Sequence, residues 1–178
     1  MRISVAGATG AIGRSLLPLL EGHEVVGMTR SRPDLVRALG AAPVVCDVYD
    51  RERLLTVVVD ARPEVVVDLL TDLAAWDFRA NNRIRREGTR NLVDAAVAAG
   101  ATRLIVESVD FELPPDGAAA VREMERIARE SGLRVDILRF GLLWGPHTDH
   151  EENPGEPGRV HVSEAAQALA AALARPGS

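Results

Sequence analysis

The sequence predicts a single-domain α/β protein built on a doubly wound parallel sheet with strand order 3-2-1-4-5-6. The chain has 178 residues, which suits one hydrophobic core. Short β-branched runs alternate with segments of helical periodicity, a pattern that produces right-handed crossovers between parallel strands. A glycine-rich turn also joins the first strand run to the first helical segment. Together these observations predict the fold class.

Strands are predicted where short apolar runs are bounded by polar or turn residues. These runs cover residues 3–6, 24–28, 43–46, 64–70, 103–106 and 134–140. The run at 64–70 is rich in valine, as expected for a central strand that is buried on both faces. The sequence therefore predicts a sheet of six strands.

Helices are predicted between these strands from apolar residues at helical spacing and from capping signals. They cover residues 11–20, 33–39, 50–59, 82–99 and 114–129. Residues 141–158 contain three prolines and are predicted to form a loop. Ser163 is the predicted N-cap of a final alanine-rich helix that ends near Leu173.

Composition excludes several classes of protein. All 21 basic residues are arginine, so chemistry that needs a lysine amine is excluded. A net charge of −5 and an aromatic content of 3% argue against a nucleic-acid surface. We expect a cytoplasmic protein with no membrane partner, since neither a membrane-spanning run nor a signal peptide is evident. The single cysteine, Cys46, is predicted to be a small buried side chain.

The turn Gly7-Ala8-Thr9-Gly10-Ala11-Ile12-Gly13 carries the clearest functional signal. Glycines at this spacing allow a tight turn, bring backbone N–H groups close to a pyrophosphate, and let the helix pack closely on the sheet. The helix N-terminus adds a favourable dipole. The turn is therefore predicted to bind a dinucleotide, and the alternative is a glycine turn with no ligand.

The end of the second strand distinguishes NADP from NAD. An acidic residue there would bind the adenosine ribose and repel a 2′-phosphate. This chain has Arg30, Ser31 and Arg32 instead, which can clamp the additional phosphate. NADP is therefore the predicted cofactor, with NAD as the alternative if these arginines are only solvated surface residues.

Four segments, GATGAIG, EGTRNLVDAA, ILRFGLLWGP and VHVSEAAQAL, together resemble the extended or atypical short-chain dehydrogenase/reductases of the epimerase-like branch. The resemblance spans nearly the whole chain and implies NAD(P) binding. It assigns the phosphates to Gly7, Thr9, Gly10, Ala11, Ile12 and Gly13. It also places Asp47 at the adenine amine with Val48 beside the ring, and the segment Leu69, Leu70 and Thr71 along the nicotinamide ribose.

The chain departs from this family at its catalytic pair. The family uses a Tyr-x-x-x-Lys pair, in which the lysine binds the ribose and lowers the pKa of the tyrosine. The corresponding positions fall near Gly117 and Val121, and the serine or threonine at the end of strand five corresponds best to Val109. The usual catalytic residues are therefore missing.

Other residues at the end of strand five are candidates for proton transfer. Ser108, Glu107 and Asp110 lie there, and burial of a carboxylate would raise its pKa toward that of a general base. The alternative is that Glu107 and Asp110 are solvated loop carboxylates. Phe140 and Trp144 are the predicted substrate contacts, although Trp144 would serve equally well to cover the core beside a loop.

We predict one NAD(P)-binding domain over residues 1–178 with a reduced substrate-binding region near 141–160. The leading hypothesis is an oxidoreductase or epimerase-like enzyme acting on a small organic substrate. The alternatives are a non-redox isomerase, cyclase or lyase, and a regulator that senses NADP without catalysis. A homodimer is one possible assembly, and no metal site is predicted, because the acidic and histidine-containing stretch 147–152 lies in a proline- and glycine-rich loop.

Overall fold

The computed structural model describes residues 1–72 and 77–175, and its core is a parallel sheet of six strands in the order β3-β2-β1-β4-β5-β6. This order confirms the predicted fold class. The strands are β1 (Arg2–Ala6), β2 (Glu24–Thr29), β3 (Ala42–Val45), β4 (Val65–Asp68), β5 (Arg103–Val109) and β6 (Arg134–Phe140). Successive strands are added toward one edge of the sheet from β1 to β3 and toward the other edge from β4 to β6, so the switch point lies between β1 and β4, beside the glycine turn.

Seven α-helices are found in the described residues, and they cover both faces of the sheet. They are α1 (Ala11–Leu16), α2 (Pro33–Ala38), α3 (Arg51–Ala61), α4 (Phe78–Arg83), α5 (Thr89–Ala98), α6 (Pro115–Arg129) and α7 (Val162–Ala174). A 3₁₀ turn, Leu17–Leu20, extends α1, and a π-helical turn, Ile84–Gly88, joins α4 to α5.

Alternation along the strands divides the core into two layers. Val65 and Val67 pack in the layer that contains α1 and α7, whereas Val66 packs in the layer that contains α3, α5 and α6. All three valines are at most 4% exposed. The central strand is thus buried on both faces, which explains its continuous apolar sequence.

The strand ends that matter for function lie at one edge of the sheet. Ala6 of β1 is in register with Met28 of β2 and Asp68 of β4, and Asp68 is in register with Val106 of β5. The loops that follow these strands therefore meet at the carboxyl edge, where open α/β sheets bind ligands.

The helix predicted over residues 82–99 differs from the observed structure. Helical structure begins earlier, at Phe78, because the Asp77 carboxylate accepts hydrogen bonds from the backbone N–H groups of Arg79 and Ala80. The π turn then interrupts the α-helical hydrogen-bond pattern between α4 and α5.

Two expectations near the C-terminus were wrong. The segment predicted as loop contains a short strand, β7 (Leu142–Trp144), which pairs in parallel with β8 (Arg159–His161). The N-cap of α7 is His161, not Ser163. The His161 ring accepts a hydrogen bond from the Ser163 N–H at 3.3 Å, and the Glu164 carboxylate accepts one from the His161 N–H at 3.0 Å.

Within residues 1–72 and 77–175, no helix has both the length and the apolar character needed to cross a membrane. Cys46 is buried, as predicted, and burial raises the pKa of its thiol.

Candidate functional site

The glycine turn between β1 and α1 packs directly on neighbouring backbone. Gly7 has φ of +80°, and a Cβ atom there would lie 2.5 Å from the Leu69 carbonyl oxygen. A Cβ atom on Gly13 would lie 2.5 Å from the Gly7 carbonyl oxygen. Both contacts are too short for any side chain, so these two positions require glycine.

Hydrogen bonds hold the turn in one conformation. The Gly10 N–H donates to the Gly7 carbonyl at 3.0 Å, and the Arg14 guanidinium donates to the Thr9 carbonyl at 2.9 Å. The first N–H groups of α1 have no carbonyl partner within the helix. They lie at the positive end of its dipole and are available to an anion such as a phosphate.

A cleft of about 710 Å³ opens at the carboxyl edge of the sheet. The glycine turn lines one wall, together with Leu69 after β4. Glu107 and Phe140, near the ends of β5 and β6, line another. Residues from α4, the π turn and the segment after β6 complete the enclosure. The cleft therefore lies where the fold predicts ligand binding.

The segment after β2 lies at one end of this cleft. The buried Thr29 hydroxyl accepts hydrogen bonds from the backbone N–H groups of Ser31 and Arg32, at 3.4 and 3.1 Å, which shapes this turn. Arg30, Ser31 and Arg32 are all exposed, and Arg30 lines the cleft. The Arg30 guanidinium lies 3.6 Å from the Asp72 carboxylate. The turn thus presents two arginines and an exposed hydroxyl.

The predicted adenine contacts follow β3. Asp47 is exposed, and its carboxylate accepts a hydrogen bond from the Tyr49 N–H at 2.9 Å. Val48 is buried, and its carbonyl accepts a hydrogen bond from the Asn91 side chain at 3.0 Å. Neither residue lines the cleft in the described part of the chain, so their role at the adenine stays a prediction.

The segment after β4 is only partly directed at the cleft. Leu69 and Thr71 line it, whereas the Leu70 side chain packs in the core layer beneath α5 and α6. Strand-like alternation explains why the middle residue points away. The Leu70 N–H donates to the Asp68 carboxylate at 3.0 Å.

Glu107 lies in the cleft wall near the end of β5, partly buried. Burial raises the pKa of its carboxyl to about 7, the Arg85 guanidinium opposes that rise, and the Asp68 carboxylate adds to it. A carboxyl with this pKa can both donate and accept a proton near neutral pH.

Asp68, at the end of β4, is fully enclosed. Its carboxylate accepts hydrogen bonds from the Leu70 N–H at 3.0 Å and from the Thr89 hydroxyl at 2.8 Å. Burial raises the pKa of this carboxyl, and both hydrogen bonds oppose the rise. The Asp68 carboxylate is therefore hydrogen-bonded within the protein, and its charge contributes to raising the pKa of Glu107.

Arg85, which was not among the predicted site residues, lies on the π turn and lines the same cleft. Arg85 is 7% exposed, and its Nε and Nη1 atoms have no hydrogen-bond partner among the described residues. Burial lowers the pKa of the guanidinium. A detectable signal was present, since Arg85 precedes the buried Thr89 and Leu92 at helical spacing and therefore occupies a core-facing position.

Ser108 lines the cleft beside Glu107, but its hydroxyl group has a different environment. Its hydroxyl is buried and donates to the Glu125 carboxylate at 2.7 Å. Glu125 also accepts hydrogen bonds from Arg139 and Arg129. The Arg139 hydrogen bonds are the main cause that lowers the pKa of Glu125 to about 2. The Ser108 hydroxyl is thus already bound to a structural ion network.

Of the remaining predicted residues, some line the cleft and others do not. Phe140 is buried and lines the cleft. Asp110 is exposed, and Trp144 packs edge-on against the His161 ring with centroids 4.4 Å apart. Of the described residues, neither Asp110 nor Trp144 contributes to the cleft lining. Catalysis by Asp110 and substrate contact by Trp144 stay predictions.

The positions corresponding to the missing catalytic pair lie on α6. Gly117 lines the cleft, and a Cβ atom there would lie 3.8 Å from the Asn82 side-chain oxygen. Val121, one helical turn further on, is buried. No group of three or more histidine, cysteine, aspartate or glutamate side chains in residues 1–72 and 77–175 is arranged to hold a metal ion.

A parallel sheet in this order, with a tight glycine turn and a cleft at its switch point, defines a dinucleotide-binding protein of the Rossmann class. A family profile described as NAD(P)H-binding matches residues 7–176. The chain belongs to this NAD(P)H-binding family, and NAD(P) is its cofactor.

Individual proteins of known name are also similar to this chain in sequence or in fold. The chain is 40% identical to 3-diazoavenalumate denitrifying reductase from a Streptomyces species, over 90% of this chain and 62% of that protein. It therefore spans less than two thirds of that relative. Its fold matches Bordetella bronchiseptica WbmH in complex with NAD+, with a TM-score of 0.80, 19% identity, and coverage of 99% of this chain and 72% of that one.

The UDP-glucose 4-epimerase of Thermus thermophilus in complex with NAD gives the same TM-score of 0.80 at 22% identity, covering 99% of this chain and 75% of that one. At these identities the two structures show a common fold.

Proposed function

We propose that this chain is the catalytic core of an NADPH-dependent reductase in which Glu107 provides the proton. The observation that carries the proposal is the presence of Glu107, a carboxyl with a pKa of about 7, in the same cleft as the glycine turn. Family membership supports the cofactor, and a 40% identical relative is itself named a reductase.

The shape of the turn supports this assignment, because the backbone approaches so closely at Gly7 and Gly13 that no side chain fits. The first-turn N–H groups of α1 would hold the pyrophosphate, and Leu69 and Thr71 would border the nicotinamide half. Arg30, Ser31 and Arg32 would hold a 2′-phosphate, for which two guanidinium groups are well suited. A bound dihydronicotinamide supplies a hydride.

Glu107 completes the chemistry that hydride addition requires. A carbonyl group that accepts a hydride at carbon develops negative charge on oxygen, and that oxygen must receive a proton. The protonated Glu107 carboxyl breaks its O–H bond and gives the proton to this oxygen, and solvent reprotonates the resulting carboxylate. A donor with a pKa near the operating pH typically contributes ~100- to 10,000-fold to the rate.

The substrate region we propose is the segment near residues 141–160. Leu142 and His147 from this segment line the cleft, and β7 pairs with β8 to fix its base against α7. Phe140, at the end of β6, would provide an apolar contact for the substrate. A small organic molecule fits the cleft of about 710 Å³ alongside the nicotinamide.

A second class of acceptor follows from the same geometry. The 40% identical relative is named for a diazo compound and is called a denitrifying reductase. If a diazonium group accepts the hydride and loses N₂, the positive charge is neutralised and no oxyanion forms. Such a reaction needs no proton donor, which matches a chain whose only tyrosine is Tyr49 and which has no lysine.

The test is NADPH oxidation with two substrate panels, one of aldehydes and ketones and one of arenediazonium salts. Glu107→Gln should slow carbonyl reduction by ~100-fold or more and leave diazonium reduction within about twofold. The matched control is Glu112→Gln, which changes an exposed carboxylate outside the cleft. The reductase proposal is wrong if the wild-type protein binds NADPH but reduces neither panel.

A further inference from the structure

Arg85 carries a buried guanidinium group, and within the described residues its Nε and Nη1 donors have no hydrogen-bond partner. It lies near Asp68 and Glu107, yet no ion pair within 4.0 Å joins it to either carboxylate in the described residues. Both Asp68 oxygens already accept hydrogen bonds from other donors. Leaving buried donors unpaired is costly, so a guanidinium kept in this state is suited to an acceptor that arrives with a ligand.

The position of Arg85 in the cleft limits what that ligand can be. If the glycine turn holds the pyrophosphate and the turn after β2 holds the adenosine, the other half of the dinucleotide must extend over the ends of β4 and β5. Leu69 and Glu107 mark that half of the cleft wall, and Arg85 lies near Glu107. In this arrangement the nicotinamide ribose lies near Arg85.

Other cations in the cleft are already paired or exposed. Arg30 lies at the adenosine end beside Asp72, and Arg159 pairs with Glu156 at 2.6 Å. Arg79 is exposed. Among the described arginines that line the cleft, Arg85 alone is buried.

We propose that Arg85 binds the hydroxyl groups of the nicotinamide ribose and so replaces the lysine that this chain lacks. The inference rests on the dinucleotide site of the proposed function. The planar guanidinium presents adjacent N–H donors, and the two neighbouring hydroxyl oxygens of a ribose are acceptors at matching spacing. Arg85 would reach the ribose from the π turn, which precedes β5 in the chain. The family lysine would instead lie on α6, which follows β5.

Calorimetric titration of two ligands separates this role from general damage. NADP+ contains the nicotinamide ribose, whereas 2′,5′-ADP contains only the adenosine half. Arg85→Met should weaken NADP+ binding by ~10- to 100-fold, the effect of losing charged hydrogen bonds, and leave 2′,5′-ADP binding within about twofold. Arg85→Lys should recover part of the loss, because an ammonium group also donates to hydroxyls.

The matched control is Arg86→Met, which removes the neighbouring exposed arginine of the same π turn and should leave both affinities unchanged. Equal weakening of both ligands, or no weakening of NADP+, would overturn the role of Arg85. Unchanged NADP+ affinity with a raised substrate KM would assign Arg85 to the substrate instead. If the wild-type protein binds neither ligand, the dinucleotide site itself is wrong, and the ribose contact fails with it.

If Arg85→Met does not fold, Arg85→Lys decides the question alone. Selective weakening of NADP+ relative to 2′,5′-ADP supports the contact, and an unchanged ratio of the two affinities overturns it.

Discussion

The Ser108 hydroxyl donates a 2.7 Å hydrogen bond to the Glu125 carboxylate, although Ser108 directly follows the cleft carboxyl Glu107 in the chain. The two neighbours therefore serve different purposes. Both residues line the cleft, but the Ser108 hydroxyl is bound to Glu125 and so joins β5 to α6.

We expect Ser108→Ala to affect stability and not catalysis. Glu125 keeps its hydrogen bonds to Arg139 and Arg129, so the loss should be only about 1 kcal/mol in the free energy of unfolding. Urea unfolding gives the stability change, and NADPH oxidation should stay within about twofold of wild type. A loss of activity comparable to that of Glu107→Gln would instead place the Ser108 hydroxyl in the reaction.

Glu107 should make stability depend on pH. Its pKa is raised from 4.5 to about 7, so between these values the folded state holds a proton that the unfolded state has released. Folding stability attributable to this group is therefore complete below pH 4.5 and falls as the pH rises to about 7, by at most about 3 kcal/mol. The pKa of the Asp68 carboxyl is also raised, from 3.8, so this group likewise lowers the folding stability as the pH rises.

Glu107→Gln should remove most of this dependence. The variant should gain stability relative to wild type as the pH increases from about 5 to about 8, measured by urea unfolding at both values. Wild-type and variant curves that run parallel across this range would contradict the burial of an ionisable Glu107.

Gly7 and Gly22 form a pair that separates backbone strain from steric contact. Their φ angles are +80° and +87°, but among the described residues a Cβ atom would have neighbours within 4 Å only at Gly7. Alanine at either position should cost ~1 to 2 kcal/mol for the left-handed backbone. Gly7→Ala should also displace Leu69 and weaken NADP+ binding by about tenfold or more, which calorimetry measures. Equal effects of the two substitutions on NADP+ affinity would contradict the contact.

Arg30 and Arg32 should determine cofactor preference. Replacing both with glutamine should lower the affinity for 2′,5′-ADP by ~10-fold or more while affinity for 5′-ADP changes little, since only the former carries the 2′-phosphate. Arg37→Gln is the control, because Arg37 is an exposed arginine on α2 that pairs with Asp34 at 2.6 Å. An unchanged ratio of the two affinities would show that these arginines are only surface residues.

Much of the fold followed from local pattern. The buried valines of β4 have neighbours on both faces, and alternating strands and helices with right-handed crossovers leave few possible strand orders. The glycine turn was predicted for a similar reason, because spacing alone restricts how the chain can pass from β1 to α1.

Features that depend on distant partners were not predicted. The β7–β8 pair joins segments separated by a loop of proline and glycine, and the His161 cap depends on the angle at which the chain enters α7. The spacing of Arg85 to Thr89 and Leu92 indicates a core-facing position, but its place in the cleft wall near Asp68 and Glu107 depends on the packing of separate elements.

The sequence by itself determined the order of the sheet, the dinucleotide turn and the absence of the lysine and tyrosine expected on α6. Only the tertiary structure decided that Glu107 lines the cleft and that Ser108 bonds to Glu125. It also decided that Arg85 is buried with its Nε and Nη1 donors unpaired in the part of the chain that the structure describes. The physical reason is that burial and charge environment depend on residues far apart in the chain. Alternation along β5 can predict that neighbours face apart, but α6 and the π turn determine what each of them meets.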